Sequence, residues 1–334
     1  MRVLLATCRN PNFRTITEHT EEALRGEGCE VDFFDDRAFL LPGRVRERAP
    51  FLQRWELTRI NRLLVARALA TRPDLILVMG NTRVFAQTLE QARQAGIKTA
   101  LWTIDAPQKH NIPHLQRNAP LYDHVFCGGT EALDILQAVG FHRARWLPFG
   151  FAADTHAPAV PLPELAGLNI CFIGSYYPIR ERVFESLADL GLRIWGPGWE
   201  KISSSSPLKG LATPGQIKEG FWMRAYASAK IVLCAHDLGT LTAPCYQASP
   251  RVFEALATGS LLLCNDQKDV AALFQDGRHL VLYKDAEELR EKARYYLAHP
   301  AERLRIAEQG RQAVLAGHSY SHRMKTLLAT VTAP

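Results

Sequence analysis

The chain has 334 residues, 47% of them hydrophobic and 22% charged, ordinary proportions for a soluble globular protein and more than one core accommodates, so two domains are expected. Forty basic against 34 acidic residues leave a net charge of +6, which suits anionic ligands or a membrane surface without demanding nucleic acid. Seven cysteines, an odd number with no Cys-x-x-Cys pair, argue against a disulfide framework and a zinc site, and the short apolar run 3–6 after Met1-Arg2 is no signal peptide, so a cytoplasmic location is expected.

Strands are predicted at 2–6, 30–34, 74–79, 98–103, 124–127 and 145–147, with helices at 15–26, 84–95 and 131–139. Between the second and third strands lies a basic stretch, Arg44, Arg46, Arg48, Arg54, Arg59, Arg62, Arg67 and Arg72. Within it Phe51, Leu52, Trp55, Ile60, Leu63, Leu64 and Leu69 recur at near-helical spacing, predicting an amphipathic helix over 50–70 with a basic outer face. Such a helix either packs on a sheet with solvated arginines or touches anionic lipid or an acidic acceptor. Alternation of apolar strands with helices implies a parallel, doubly wound sheet, a Rossmann-like domain over 1–152.

Pro158, Pro161 and Pro163 interrupt any hydrophobic period and mark a linker over 153–167. The pattern resumes with strands at 169–173, 192–195, 231–234, 261–264 and 280–282, a second doubly wound domain over 168–316. A last helix within 317–334 is expected to cross back onto the first domain.

Ligands of open α/β sheets sit beyond the carboxyl ends of strands, so the loops there hold the candidates. After the strand 169–173, Gly174, Ser175, Arg180 and Arg182 occupy a glycine turn and the start of a helix, a place for a pyrophosphate or else a plain turn with solvated arginines. Gly196 and Trp199 lie in Trp195-Gly196-Pro197-Gly198-Trp199 after the next strand, and His236 follows the strand 231–234. Ser249-Pro250 is a helix-start signal, with the Ser249 hydroxyl as cap and Arg251 and Glu254 on one face of the first turn. Free N–H groups and an arginine there suit a phosphate, and Glu254 suits ribose hydroxyls; the competing reading is a packed surface helix.

In the first domain Asp105 ends a buried strand, where it either caps a turn or serves as general base toward an acceptor hydroxyl. Thr7 to Asn12 and Gly80-Asn81 close other strands on the same rim. No Gly-x-Gly-x-x-Gly follows either first strand and no Walker-type lysine loop exists, which argues against a nicotinamide dehydrogenase and a P-loop kinase.

The helix start at Ser249, then Asp276-Gly277, Lys284-Asp285, His299-Pro300 and Gly317-His318-Ser319-Tyr320-Ser321-His322-Arg323, follow in an order that resembles CgeB-like, spore-maturation-type glycosyltransferases. The resemblance spans residues 168–330. It implies a GT-B fold, two Rossmann-like domains facing a cleft, with a C-terminal domain like that of group 1 glycosyl transferases. It further implies transfer of a sugar from a nucleotide-diphosphate donor, with uridine the expected base, retention of configuration, no metal and no cofactor. By resemblance, Gly174, Ser175 and Arg180 face the donor diphosphate with Arg182 beside them, Gly196 and Trp199 lie near the base, and His236 near the donor. Asp105 falls in a Trp-x-x-Asp-x-Pro region that faces the cleft. Related retaining enzymes carry two glutamates seven residues apart; Glu254 matches the second, while the first position holds Tyr246, which leaves the donor sugar open. The acceptor is not indicated, and a catalytically silent nucleotide-sugar binder or a membrane-surface scaffold using the basic helix remains an alternative.

Overall fold

The computed structural model describes residues 1–80, 83–218, 220–236, 239–240 and 243–333; Asn81 lies outside them. The first half runs β1 (Arg2–Thr7), α1 (Ile16–Gly26), β2 (Glu30–Asp35), α2 (Gly43–Arg48), α3 (Pro50–Thr71), β3 (Leu75–Met79), α4 (Ala86–Gln94) and β4 (Lys98–Thr103). It ends with α5 (Ile112–Asn118), β5 (His124–Cys127), α6 (Thr130–Gln137) and β6 (Arg145–Trp146). Its six strands pair in parallel in the order β2-β1-β3-β4-β5-β6.

The second half contains β7 (Ile170–Ile173), α7 (Pro178–Phe184), β8 (Leu192–Gly196), β9 (Ala212–Pro214), α8 (Phe221–Ser228) and β10 (Ile231–Cys234). A two-residue pair, β11 (Gly239–Thr240) and β12 (Ala243–Pro244), precedes α9 (Pro250–Ala257), β13 (Leu261–Asn265), α10 (Lys268–Leu273) and β14 (Val281–Tyr283). Then come α11 (Ala286–Ala298), α12 (Pro300–Gly317) and α13 (Tyr320–Thr332). The order β14-β13-β10-β7-β8-β9 is again wholly parallel.

Both sheets are doubly wound because their strands are apolar on both faces and must be covered on both. All of β3, β7 and β10 is buried. The chain leaves β7 toward β8 and β9, then returns to β10 on the other side, so the strand order reverses between β7 and β10. In the first sheet it reverses between β1 and β3. Such reversals open a crevice at the carboxyl ends of the strands, where ligands bind.

The halves share one core, which runs from Val3, Leu5 and Leu24 through Phe149 and Phe151 to Val252, Phe253, Met324 and Leu327. Helix α13 packs on α1, and Lys98 Nζ donates to the Val331 carbonyl at 2.8 Å. A second tie joins the facing rims. Helix α6 starts after Gly129, which has no side chain to cap it, and Asp269 of α10 supplies the cap from the other half. The Thr130 N–H and hydroxyl donate to its carboxylate at 2.9 and 2.6 Å.

Helix α3 departs from the amphipathic expectation. It buries Glu56, Ile60, Asn61, Leu64 and Ala68, while Phe51, Trp55, Leu63 and Leu69 face solvent. Polar side chains decide this. Glu56 accepts the Leu40 and Leu41 amides at 2.7 Å each, and Asn61 accepts from the Phe85 amide and Thr88 hydroxyl at 2.8 and 2.7 Å.

Removing a helix cap costs about 1 kcal/mol. Asp269→Ala is therefore expected to lower Tm by a few degrees and to enlarge the radius of gyration in solution scattering; an unchanged Tm would show that the inter-half cap contributes nothing.

Candidate functional site

The reversal between β7 and β10 brings together the turn after Ile173, the segment after Cys234 and the start of α9. Arg251, in the first turn of α9, donates Nε–H to the Ile173 carbonyl at 2.8 Å and lies over the Phe172 ring at 5.0 Å. A Cβ at Gly174 would collide with its guanidinium, so glycine is required by that approach. Gly196 meets the same turn from β8, and a Cβ there would strike the Gly174 carbonyl.

Arg180 reaches the same place from α7 and is buried. Its Nε donates to the Ala235 carbonyl at 2.9 Å and its Nη1 to the Ser175 carbonyl at 2.7 Å. Its guanidinium stands 5.1 Å from the centre of the Phe172 ring that Arg251 also covers. Burial and the charge of Arg251 pull Arg180 down to about 10. Among the described residues no carboxylate lies within ion-pair distance of either arginine.

Glu254, one turn further along α9, accepts no hydrogen bond from the described residues, and its side chain is 21% exposed. Burial pushes its carboxyl up to about 7, against the opposing pull of Arg251. The arrangement offers an anion two guanidinium groups and helix N–H groups, and offers a neighbouring diol a free carboxylate.

Not every expected residue joins this cluster. Ser249 is the N-cap by position, but its hydroxyl makes no cap hydrogen bond and stands 3.6 Å from the Cys234 sulfur. His236 is buried behind it, its Nε2 accepting the Ser249 N–H at 3.0 Å, so it orients the helix start. Ser175 is exposed on the turn. Arg182 is exposed without a hydrogen-bond partner among the described residues, because the turn of α7 that buries Arg180 directs Arg182 outward. Trp199 is only 1% exposed, enclosed by Phe172, Tyr176 and Phe184, and donates Nε1–H to the Gly174 carbonyl at 2.8 Å. It supports the turn from within the core and is out of reach of a base. Asp105 is exposed just past β4, with no hydrogen bond among the described residues.

Three residues carry roles that patterning did not single out. Glu131, at the start of α6, accepts the Tyr246 N–H at 3.1 Å, so a carboxylate from the first half occupies the backbone at the position where a sugar-contacting glutamate was expected. Asp269 caps α6, and His156 of the 153–167 segment stands 3.9 Å from Glu254. No local motif marks any of them, since each acts across the two halves.

Cys234, His236 and Cys264 gather three possible metal-ligand atoms within 4.8 Å of one another. The ring does not fit that use. With Nε2 accepting from Ser249, its proton is on Nδ1, which faces Asn265 Oδ1 at 3.0 Å, and no lone pair is left over.

Residues 177–329 match the model of the family described as glycosyl transferase-like. None of the curated proteins compared matches the sequence. Among solved structures the chain is similar to sucrose-phosphate synthase from Thermosynechococcus elongatus, at 13% identity over 99% of both chains with a TM-score of 0.72. It is similar to Anabaena HepE in complex with UDP-glucose, at 12% identity over 99% of both chains with a TM-score of 0.68. A glycosyltransferase from Rickettsia africae aligns with a TM-score of 0.69 at 12% identity, over 98% of this chain and 97% of that one. The fold is GT-B.

A carboxyl whose native pKa lies above its unfolded value withholds stability as pH rises between the two. For Glu254 that window runs from 4.5 to about 7. Glu254→Gln is expected to match the wild-type Tm near pH 4.5 and to exceed it increasingly up to about pH 7; a constant difference would contradict the raised carboxyl.

Proposed function

We propose that this protein is a glycosyltransferase that moves a sugar from a nucleotide-diphosphate donor, with UDP as the nucleotide, to an acceptor bound by the first half. The carrying observation is the pair Arg180 and Arg251 at the crevice of the second sheet, two cations without a carboxylate partner among the described residues, with Glu254 beside them accepting no hydrogen bond from those residues. In this reading Arg180, Arg251 and the α9 N–H groups take the diphosphate, Glu254 accepts the ribose hydroxyls, and the exposed Asp105 activates an acceptor hydroxyl. The glycosyl transferase-like match over 177–329 and the UDP-glucose complex of a similar structure support it. Membership of the CgeB-like group, retention of configuration and independence of metal belong to the same proposal; the arginine pair supplies the charge that the leaving diphosphate needs.

A ligand that binds the native state raises its apparent stability. UDP is expected to raise Tm more than GDP, TDP or ADP, and Arg251→Ala to weaken UDP binding about tenfold or more. Asp105→Asn should slow sugar transfer while leaving UDP binding intact. Binding of UDP without transfer or hydrolysis of any labelled UDP-sugar would leave a silent binding module; failure of every nucleotide would sink the reading.

A second reading concerns where the enzyme works, and the exposed face of α2 and α3 supports it. Phe51 is 72% and Trp55 52% exposed, with Leu40 and Val45 also open to solvent. Around them Arg44, Arg48, Arg54 and Arg62 are exposed, with no ion pair among the described residues. Aromatic side chains between exposed arginines suit an anionic lipid surface. Among the described residues no helix is long and apolar enough to cross a membrane, so the contact would be peripheral. Vesicles containing phosphatidylglycerol should co-sediment the protein where pure phosphatidylcholine does not, and the double change Phe51→Ser and Trp55→Ser should abolish this. Equal sedimentation of that variant would refute the contact.

A further inference from the structure

We propose that His156 is the positioning residue for Glu254, turning its carboxylate toward the ribose hydroxyls through a hydrogen bond from Nε2–H. The inference rests on the functional reading above, and it adds a residue that neither the sequence motifs nor the comparisons assign.

His156 is 1% exposed and sits where the chain passes between the two halves. Its Nδ1 accepts the Ala152 N–H at 2.8 Å, so the ring proton is on Nε2. That nitrogen is buried without a hydrogen-bond partner among the described residues, and the atom it faces is Glu254 Oε1 at 3.9 Å. A buried polar group left unpaired is unfavourable, so the pair is poised to close the remaining gap. The ring cannot drift away. His19 of α1 meets it edge-on at 5.0 Å, and Tyr320 of α13 stacks on His19 at 5.6 Å.

The imidazole is neutral, since burial and the neighbouring His19 bring it down to about 3. A neutral N–H donor favours the ionised form of Glu254 without adding a further buried cation beside Arg180 and Arg251. The other groups facing Glu254 are Arg251 on its own helix, Cys234 of β10, Tyr226 of α8 and Tyr320 of α13. Arg251 has its Nε on the Ile173 carbonyl and its Nη1 directed at the Cys234 sulfur. His156 is thus placed to supply what Glu254 lacks. Because it belongs to the connecting segment, it also ties the ribose grip to the relative placement of the two halves.

The test is UDP affinity by titration calorimetry from about pH 6 to about pH 9. Wild-type affinity is expected to rise with pH through about 7 as Glu254 ionises. His156→Phe, which keeps a ring against His19, should weaken binding about tenfold at neutral pH and move the rise to higher pH, with the curves converging at the alkaline end. His156→Gln, which keeps an N–H donor, should recover most of the loss. A parallel loss at every pH in both variants would make His156 a packing residue, and unchanged affinity would remove its role altogether. Should the variants not fold, the His156 Nε2–H resonance of the wild-type protein decides. It should move downfield on adding UDP, and a stationary signal would overturn the assignment. A wild-type protein that binds UDP at no pH overturns the functional reading, and this inference with it.

Discussion

The hydrogen bond from Arg251 to the Ile173 carbonyl is the constraint on which the site depends. It fastens the first turn of α9 to the end of β7, so the helix N-terminus and the glycine turn cannot separate. Everything near it is arranged to permit that contact. Gly174 and Gly196 lack the Cβ atoms that would block it, Trp199 holds the Gly174 carbonyl from below, and Phe172 carries both guanidinium groups on its ring. Arginine makes the link through Nε and keeps its remaining donors in a fixed planar fork, which the compact, freely rotating ammonium of lysine would not. The geometry is therefore preorganised for the proposed diphosphate, whose binding would have little ordering left to do.

The same economy of contacts explains why so much of the fold was legible. Strand β10 was readable to the residue because Ile231, Val232, Leu233 and Cys234 are all buried in the middle of a parallel sheet, where both faces demand apolar side chains. Glycine 259 closes α9 with φ +79°, as its position after the helix implies. Strand β9 was invisible, since Ala212, Thr213 and Pro214 form a three-residue edge with little to bury. Helix α3 was misjudged for a different reason. Spacing can show which apolar residues share a face, but the buried face was set by Glu56 and Asn61 holding loop amides, and such partners lie outside any window of periodicity.

At the site the division is similar. Residues placed by their own turn, such as Gly174, Arg180, Arg251 and Glu254, come together where strand-turn-helix order implies. Arg182 and Trp199 fit the same local signals yet face elsewhere, because the order says where a turn lies and not which way a given side chain leaves it. Residues that act across the two halves leave no local trace: Glu131 meets Tyr246 and Asp269 meets Thr130 only after both sheets have formed.

Those cross-half carboxylates bear on how the crevice behaves. Burial pushes Glu131 up to about 7 and raises Asp269 as well, and Glu254 is raised by the same cause. Glu131 and Asp269 are each enclosed partly by backbone from the opposite half. Parting the halves would hydrate them and favour their ionised forms, so contact between the halves and proton uptake are linked, and for Glu131 a rise in pH from 4.5 to about 7 weakens that contact. In the proposed donor reading Glu254 faces the opposite demand, since accepting from ribose hydroxyls would require its ionised form. A neutral donor from the connecting segment reconciles the two, because it can stabilise one carboxylate as an anion while leaving the others to the burial that holds the halves together.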